Sequence, residues 1–257
     1  MNKRKMMVDI IKLEWKKLIS RKDIMLILGV LILSPFLFSF CIVQKVAGLN
    51  FGGQVSADIY GIMIWSFFKY LFVLYLVPIY IASSMLGKEV ENRSIQIMLA
   101  NKKRMSVIRA KLLTYLAVLT GFFVLFQLSS FVSYQLLIKG TEYGIASTTP
   151  FMENAFLYLF QWFEQVFVLM LSIALCCVIK GNAVLVCGLL TVILEKVIAN
   201  VEGISRILPY HISDYNAYGA IKADQLLSAN LLSVGIYIII FGVLGVIISG
   251  IWKKRDF

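Results

Sequence analysis

From Ile24 to Val43 the chain runs for twenty residues without a charged side chain. A helix rises about 1.5 Å per residue, so this length covers about 30 Å, the hydrocarbon thickness of a bilayer. In lipid every backbone polar group must be satisfied inside the protein, which leaves helices and closed barrels as spanning structures. The stretch is longer than the apolar heart of a secretory signal. A basic flank precedes it and no A-x-A-like cleavage site follows, so it reads as a span.

Five more stretches have the same character. They cover 66–87 (clearest from Tyr70 to Gly87, with a start as early as Ile59), 112–138, 154–179, 183–201 and 231–251. The fifth is the weakest, because Glu195 and Lys196 sit near its end. Composition agrees: 60% of residues are hydrophobic and 15% charged, whereas soluble domains are about 45–50% apolar and a quarter charged. Disorder is excluded by the same figures. The expected fold class is an all-α integral membrane protein, with six transmembrane helices preceded by an amphipathic elbow helix.

Orientation follows from the basic residues. Nineteen of the 25 fall before the first span, between spans two and three, at Lys180, or after span six. That side is assigned to the cytoplasm of a cell-membrane protein, with both termini inside. The net charge of +11 is thereby an orientation signal and calls for no nucleic-acid partner.

Two surfaces on that side are patterned. Over residues 6–22, Met7, Val8, Ile11, Trp15, Leu18 and Ile19 share one helical face, and Asp9, Lys12, Lys16, Lys17 and Ser20 the other. This suits a helix lying in the membrane interface. The 88–111 connection sets Glu89, Glu91 and Arg93 before the apolar group Ile95, Ile97, Met98 and Leu99. The basic run Lys102, Lys103 and Arg104 follows, with a new helix start expected at Ser106. Apolar residues there have no membrane depth to enter and favour a partner's groove. The alternative is a solvated extension of span two.

Signatures of catalysis are missing. His211 is the one histidine, which precludes a two-histidine metal site, and no G-x-S-x-G turn accompanies it. Gly48 and Gly53 have P-loop spacing, but Gln54 and Val55 stand where the phosphate-binding lysine and the magnesium-binding hydroxyl belong. Cys41, Cys176, Cys177 and Cys187 lie in apolar stretches and read as buried thiols. Gln161, Glu164 and Gln165 make a polar face on span four. Counted from Lys180, Glu164 falls about 24 Å along the helix, near the outer boundary. Interfacial exposure is expected there, with a place on a substrate path as the alternative. Lys69, Glu195 and Lys196 read as outer-interface groups that can snorkel or pair, and the polar 202–230 segment is compatible with short helices packed on the outer leaflet and dipping back toward the pore, though sequence alone does not place them.

With these parts in order, the chain resembles the type-2 permease family of ATP-binding-cassette (ABC) transporters. The likeness rests on the elbow around Trp15, the six spans, and the connection opening Gly87-Lys88-Glu89-Val90-Glu91. It continues through Asn92, Ser94, Ile95, Met98, Leu99, Arg104 and Lys111 to the basic tail Trp252-Lys253-Lys254-Arg255-Asp256-Phe257. Asn101-Lys102-Lys103-Arg104 departs from the proline–x–Ser–Arg turn of many members.

The resemblance implies a permease that is not itself an enzyme, paired with a second copy or a sister permease. Two ABC ATPase subunits would dock beneath it and carry ATP and Mg, with no cofactor on this chain. Coupling would run through Glu89, Glu91, Arg93, Ile95, Met98, Leu99 and Arg104 and through the elbow residues Met7, Ile11, Trp15 and Leu18. Small permeases of this kind resemble those of bacteriocin or lantibiotic immunity and of amphipathic toxin-peptide export. Such a substrate path would use Phe67, Phe68, Phe126, Gln161, Trp162 and Glu164. A secondary transporter or channel without ATPase subunits is the alternative.

Overall fold

The computed structural model describes the backbone of residues 3–46, 53–101, 104–145, 151–179, 181–201 and 203–254. Lys102, Lys103, Lys180, Gly48 and the tail beyond Lys254 lie outside the described residues. Among the described residues the fold is all-helical, apart from one isolated bridge between Val55 and Gly144.

Helix α1 (Lys3–Ile19) leads into α2 (Lys22–Val43), and α3 (Ala57–Tyr70) returns into α4 (Val73–Ala82). A π-turn (Ser83–Gly87) carries α4 into α5 (Lys88–Glu91), followed by the short α6 (Ile95–Asn101). Then α7 (Arg104–Ser133) extends through a second π-turn (Tyr134–Ile138). After it come α8 (Phe151–Cys176), α9 (Gly181–Ile198), the short α10 (Pro209–Ile212) and α11 (Tyr215–Gly219), and α12 (Leu226–Lys254).

Among the described residues five helices are long and apolar enough to cross a membrane: Lys22–Val43, Val73–Glu91, Arg104–Ile138, Asn154–Cys176 and Leu226–Lys254. This is the make-up of an all-α membrane protein. Large apolar side chains such as Leu26, Leu37, Leu136, Ile239 and Val246 are exposed, as suits a lipid-facing surface. Helix α9 holds the fifth expected span and is not among the five. Its 18 residues reach about 27 Å.

Three boundaries differ from expectation. The 66–87 stretch is not one helix: α3 ends at Tyr70, and Phe72 takes the left-handed conformation (φ 61°) before α4 begins. Neither glycine nor proline marks that break. No helix starts at Ser106, which lies inside α7 two residues after its start at Arg104. On α1, the face turned to the bundle is centred on Ile10, Glu14 and Leu18, all almost fully buried. Met7 and Ile11 flank it, while Val8, Trp15 and Ile19 point away. The single apolar face expected for α1 is thus divided, because a carboxylate at Glu14 has partners inside.

Helix directions follow from the contacts. Trp252 Nε1 donates to Arg104 O at 2.9 Å, and Glu14 pairs with Lys111, so α1 and the C-terminal end of α12 lie at one end of the bundle. Helices α3 and α4 both run parallel to α8: Tyr158 donates to Asp58 O, Gln161 to Ile62 O, and Tyr75 to Glu164. Helix α9 packs on α4 through Gly188, where an added Cβ would sit 3.0 Å from Ile79 Cγ2. Gly188→Leu is therefore expected to overpack this seam, at a cost of about 1–3 kcal/mol. A lowered Tm of the detergent-purified protein checks it, and an unchanged Tm would mean that α9 does not seat against α4.

Candidate functional site

Helix burial brings charged side chains together at two levels. At the end bearing α1, Lys111 of α7 is fully buried and reaches Glu14 Oε1 of α1 at 2.8 Å and Glu89 Oε2 of α5 at 2.6 Å. Lys17 closes the set from α1, at 2.6 Å from Glu89 Oε1 and 3.1 Å from Glu14 Oε1. Two ammonium groups thus meet two carboxylates, and charge is balanced where water is largely excluded. Burial depresses the Lys17 pKa, but the hydrogen bond and charge of Glu89, and then those of Glu14, outweigh it and hold the ammonium above the ordinary lysine value of 10.5. The stability linked to this shift is present below pH 10.5 and is lost as pH rises through the higher folded value.

Next to this network, Arg21 binds Ser84 O at 2.8 Å, at the π-turn, as well as Asp23, which also accepts from Tyr80. A shallow groove of about 310 Å³ runs between α1 and α5, lined by Lys17, Arg21, Lys88, Asn92 and Ser94. Beyond it Glu91 and Arg93 are exposed, and Arg93 takes φ 55° at the turn into α6. On α6, Ile95 is buried and Met98 and Leu99 pack on the bundle, so the apolar group expected to face a partner faces its own chain. Ile97 alone of that group is strongly exposed, at 73%. Arg104 lies beside the C-terminal helix, donating to Lys253 O at 3.4 Å.

The second level lies deeper. Lys69 and Glu164 are both fully buried and pair at 3.2 Å. Lys69 also donates to Ser213 Oγ at 2.6 Å and Tyr210 O at 3.0 Å, with the Tyr210 ring 4.4 Å away. Glu164 accepts from Tyr75 and from Ser213. Glu195 is 8% exposed and accepts the Tyr210 backbone N–H at 2.8 Å.

Interfacial exposure of Glu164 is therefore overturned, and of the two expected fates of Lys69, snorkelling or pairing, the buried ion pair is the one found. The pair is covered by helix α10. Its depth follows from α2: Phe38 packs on Phe67 at 4.6 Å, and Phe38 lies about 20 Å along the helix from Ile24. The outer segment does fold as short helices that return into the bundle, since Tyr237, well inside α12, donates to Pro209 O at 3.2 Å.

The aromatic residues expected on a path are packed among themselves. Phe126 is fully buried, edge-on to Trp65 at 5.0 Å and to Phe68 at 6.1 Å. Phe67 and Phe68 are half-buried, and Trp162 donates to Thr120 Oγ1 at 3.1 Å. Gln161 donates to Ser66 Oγ at 3.2 Å. Among the described residues no group of three or more His, Cys, Asp or Glu side chains is placed to hold a metal ion.

Glu14, Tyr75 and Ser213 are members of these clusters that sequence reasoning overlooked, and Lys111 entered it only as part of the basic continuation of the 88–111 connection. Glu14 carried a signal, a single carboxylate between Ile10 and Leu18 on an otherwise apolar stripe. Comparison with known protein families, with curated protein sequences and with solved structures returns no match to this chain.

Lys111→Met is expected to lower stability by about 3–5 kcal/mol, since Glu14 and Glu89 would keep their burial with one cation between them. Lys111→Met/Glu14→Met, which leaves the Lys17–Glu89 pair intact, is expected to recover most of that loss. Equal Tm values for the wild type and the single variant would show that the network holds nothing together.

Proposed function

We propose that this chain is the six-span permease subunit of an ATP-driven exporter of the ABC type, with both termini in the cytoplasm of a cell-membrane protein. In this reading α9 supplies the fifth of the six spans and α1 is the elbow helix in the membrane interface. The supporting observation is the Glu14–Lys111–Glu89–Lys17 network, which ties α1, α5 and α7 into one unit directly beside exposed Glu91, Arg93 and Ile97. A force applied to α5–α6 by a partner would pass to the long α7 through buried ion pairs. Separate ATPase subunits supply ATP and Mg, and a second permease copy or sister chain completes the pore. The mechanism is a population shift between pore states, set by differential contacts at that surface. Amphipathic peptides, as in bacteriocin self-protection or toxin-peptide export, are the substrate class this reading favours, moved out of the membrane or the cytoplasm.

A second reading, a secondary transporter or channel without ATPase subunits, draws on the burial of Lys69 and Glu164, since ionisable groups at membrane depth mark ion pathways. One experiment separates the two. The chain is purified from its own host's membranes with its partners and assayed for ATP hydrolysis in vesicles. Ile97→Asp and Glu91→Lys are expected to abolish the associated ATPase activity by tenfold or more while leaving Tm unchanged. Gradient-driven transport by the isolated chain, with no hydrolysis in the wild type, would sink the ATP-driven reading.

A further inference from the structure

The shallow groove between α1 and α5, about 310 Å³ in volume, has room for about ten water-sized groups and is open at the surface. Its walls fix its height in the membrane. Arg21 stands just before the charge-free stretch that opens at Ile24, and Lys88 directly follows the apolar stretch that ends at Gly87. Both therefore lie where hydrocarbon gives way to headgroups.

Charge is not balanced across the groove. Glu14 and Glu89 are matched by Lys17 and Lys111, and Asp23 is matched by Arg21. Lys88 is exposed and has no ion-pair partner among the described residues, which leaves one cation in surplus. Lys17 and Arg21 line the groove as well, and each keeps part of its side chain exposed. On the wall formed by the π-turn, Ser84 is buried and its Oγ has no hydrogen-bond partner among the described residues. Ammonium, guanidinium and hydroxyl donors around one surplus charge suit an acceptor group with a single negative charge. A phosphodiester is such a group, with two charged oxygens to share among the donors.

The surface beside the groove decides between a soluble phosphate and a lipid. Ser20 borders the groove and also the outer face of α1, where exposed Trp15 and Ile19 lie beside Lys12 and Lys16. The polar site thus opens onto an apolar strip with basic flanks, at the height of the membrane interface. Acyl chains would cover that strip, whereas a soluble anion has no use for it.

We propose that this groove binds the headgroup of an anionic phospholipid, with the phosphodiester held by Lys88, Lys17, Arg21 and Ser84 and the acyl chains lying along Trp15 and Ile19. The bound lipid fastens α1 to α5 from outside, next to the buried ion pairs, so that their contact depends on the anionic lipid content of the leaflet. The site needs the membrane depth of α2 and not the ATP-driven reading.

In the test, the full chain in detergent micelles is offered equal amounts of dioleoylphosphatidylglycerol and dioleoylphosphatidylcholine, and native mass spectrometry identifies the first lipid retained. The wild type is expected to prefer the anionic lipid about tenfold. Lys88→Gln is expected to lower that preference about fivefold, the effect of one lysine facing anionic lipid. Asn92→Trp, which fills the groove without changing its charge, is expected to abolish the preference. Both positions are exposed, so both variants are expected to melt with the wild type. Lys254→Gln, at the same end of the bundle but outside the groove, is expected to keep the full preference. No preference in the wild type, an equal loss in Lys254→Gln, or a full preference in either groove variant would each overturn the site. Thermal melting in phosphatidylcholine nanodiscs covers the soluble source. Adding phosphatidylglycerol to the disc is expected to raise the wild-type Tm and not that of Lys88→Gln, whereas an equal rise with inorganic phosphate in the buffer would overturn the lipid assignment.

Discussion

An ammonium group taken out of water demands carboxylates around it, and Lys111 obtains them from two helices far apart in sequence. Glu14 comes from α1 and Glu89 from α5, so the ion pairs act as a clamp across elements that apolar packing alone would leave free to slide. In lipid the hydrophobic effect does little to choose one helix register over another. Charge pairing at fixed distances does choose. Lys69 and Glu164 perform the same task deeper in the bundle, where they also draw in the short helix that carries Tyr210 and Ser213.

Much of the helical layout was legible from the runs of apolar residues, because a charge-free stretch of twenty or so residues has few other fates. The boundaries at Val43 and Ile138 fall where the pattern places them. The break at Leu71–Phe72 was not legible. A bulky residue in the left-handed region is rarely favourable by itself, and local sequence carries no sign of it. Here Tyr75 packs against the Phe72 ring at 6.2 Å and the Lys196 ammonium lies over it at 4.8 Å, so distant residues hold the conformation.

The charged residues illustrate a different limit. Counting along one helix assigns Glu164 a height, yet height does not reveal neighbours. Burial of that carboxylate depends on α10, which arrives from a polar segment whose path no periodicity defines. Glu14 was harder still, since one acidic residue on an amphipathic helix reads as an interruption of the apolar stripe until its partner on α7 is known. Ile95, Met98 and Leu99 show the converse. Their apolar character was plain, but whether they face a partner or their own bundle is decided by the tight turn at Asn92–Ser94.

The π-turn at Ser83–Gly87 deserves to be read as arithmetic on the helix. A π-turn holds one residue more than an α-turn, and each residue advances an α-helix by about 100°. Without that extra residue, everything beyond it would be rotated by roughly that angle, and Glu89 would be turned away from Lys111 toward the surface. A single inserted residue, accommodated inside a membrane-spanning helix, thus aligns the foot of that helix with the rest of the bundle. A one-residue deletion within 83–87 would restore regular α-helix and, in the same stroke, misalign the clamp.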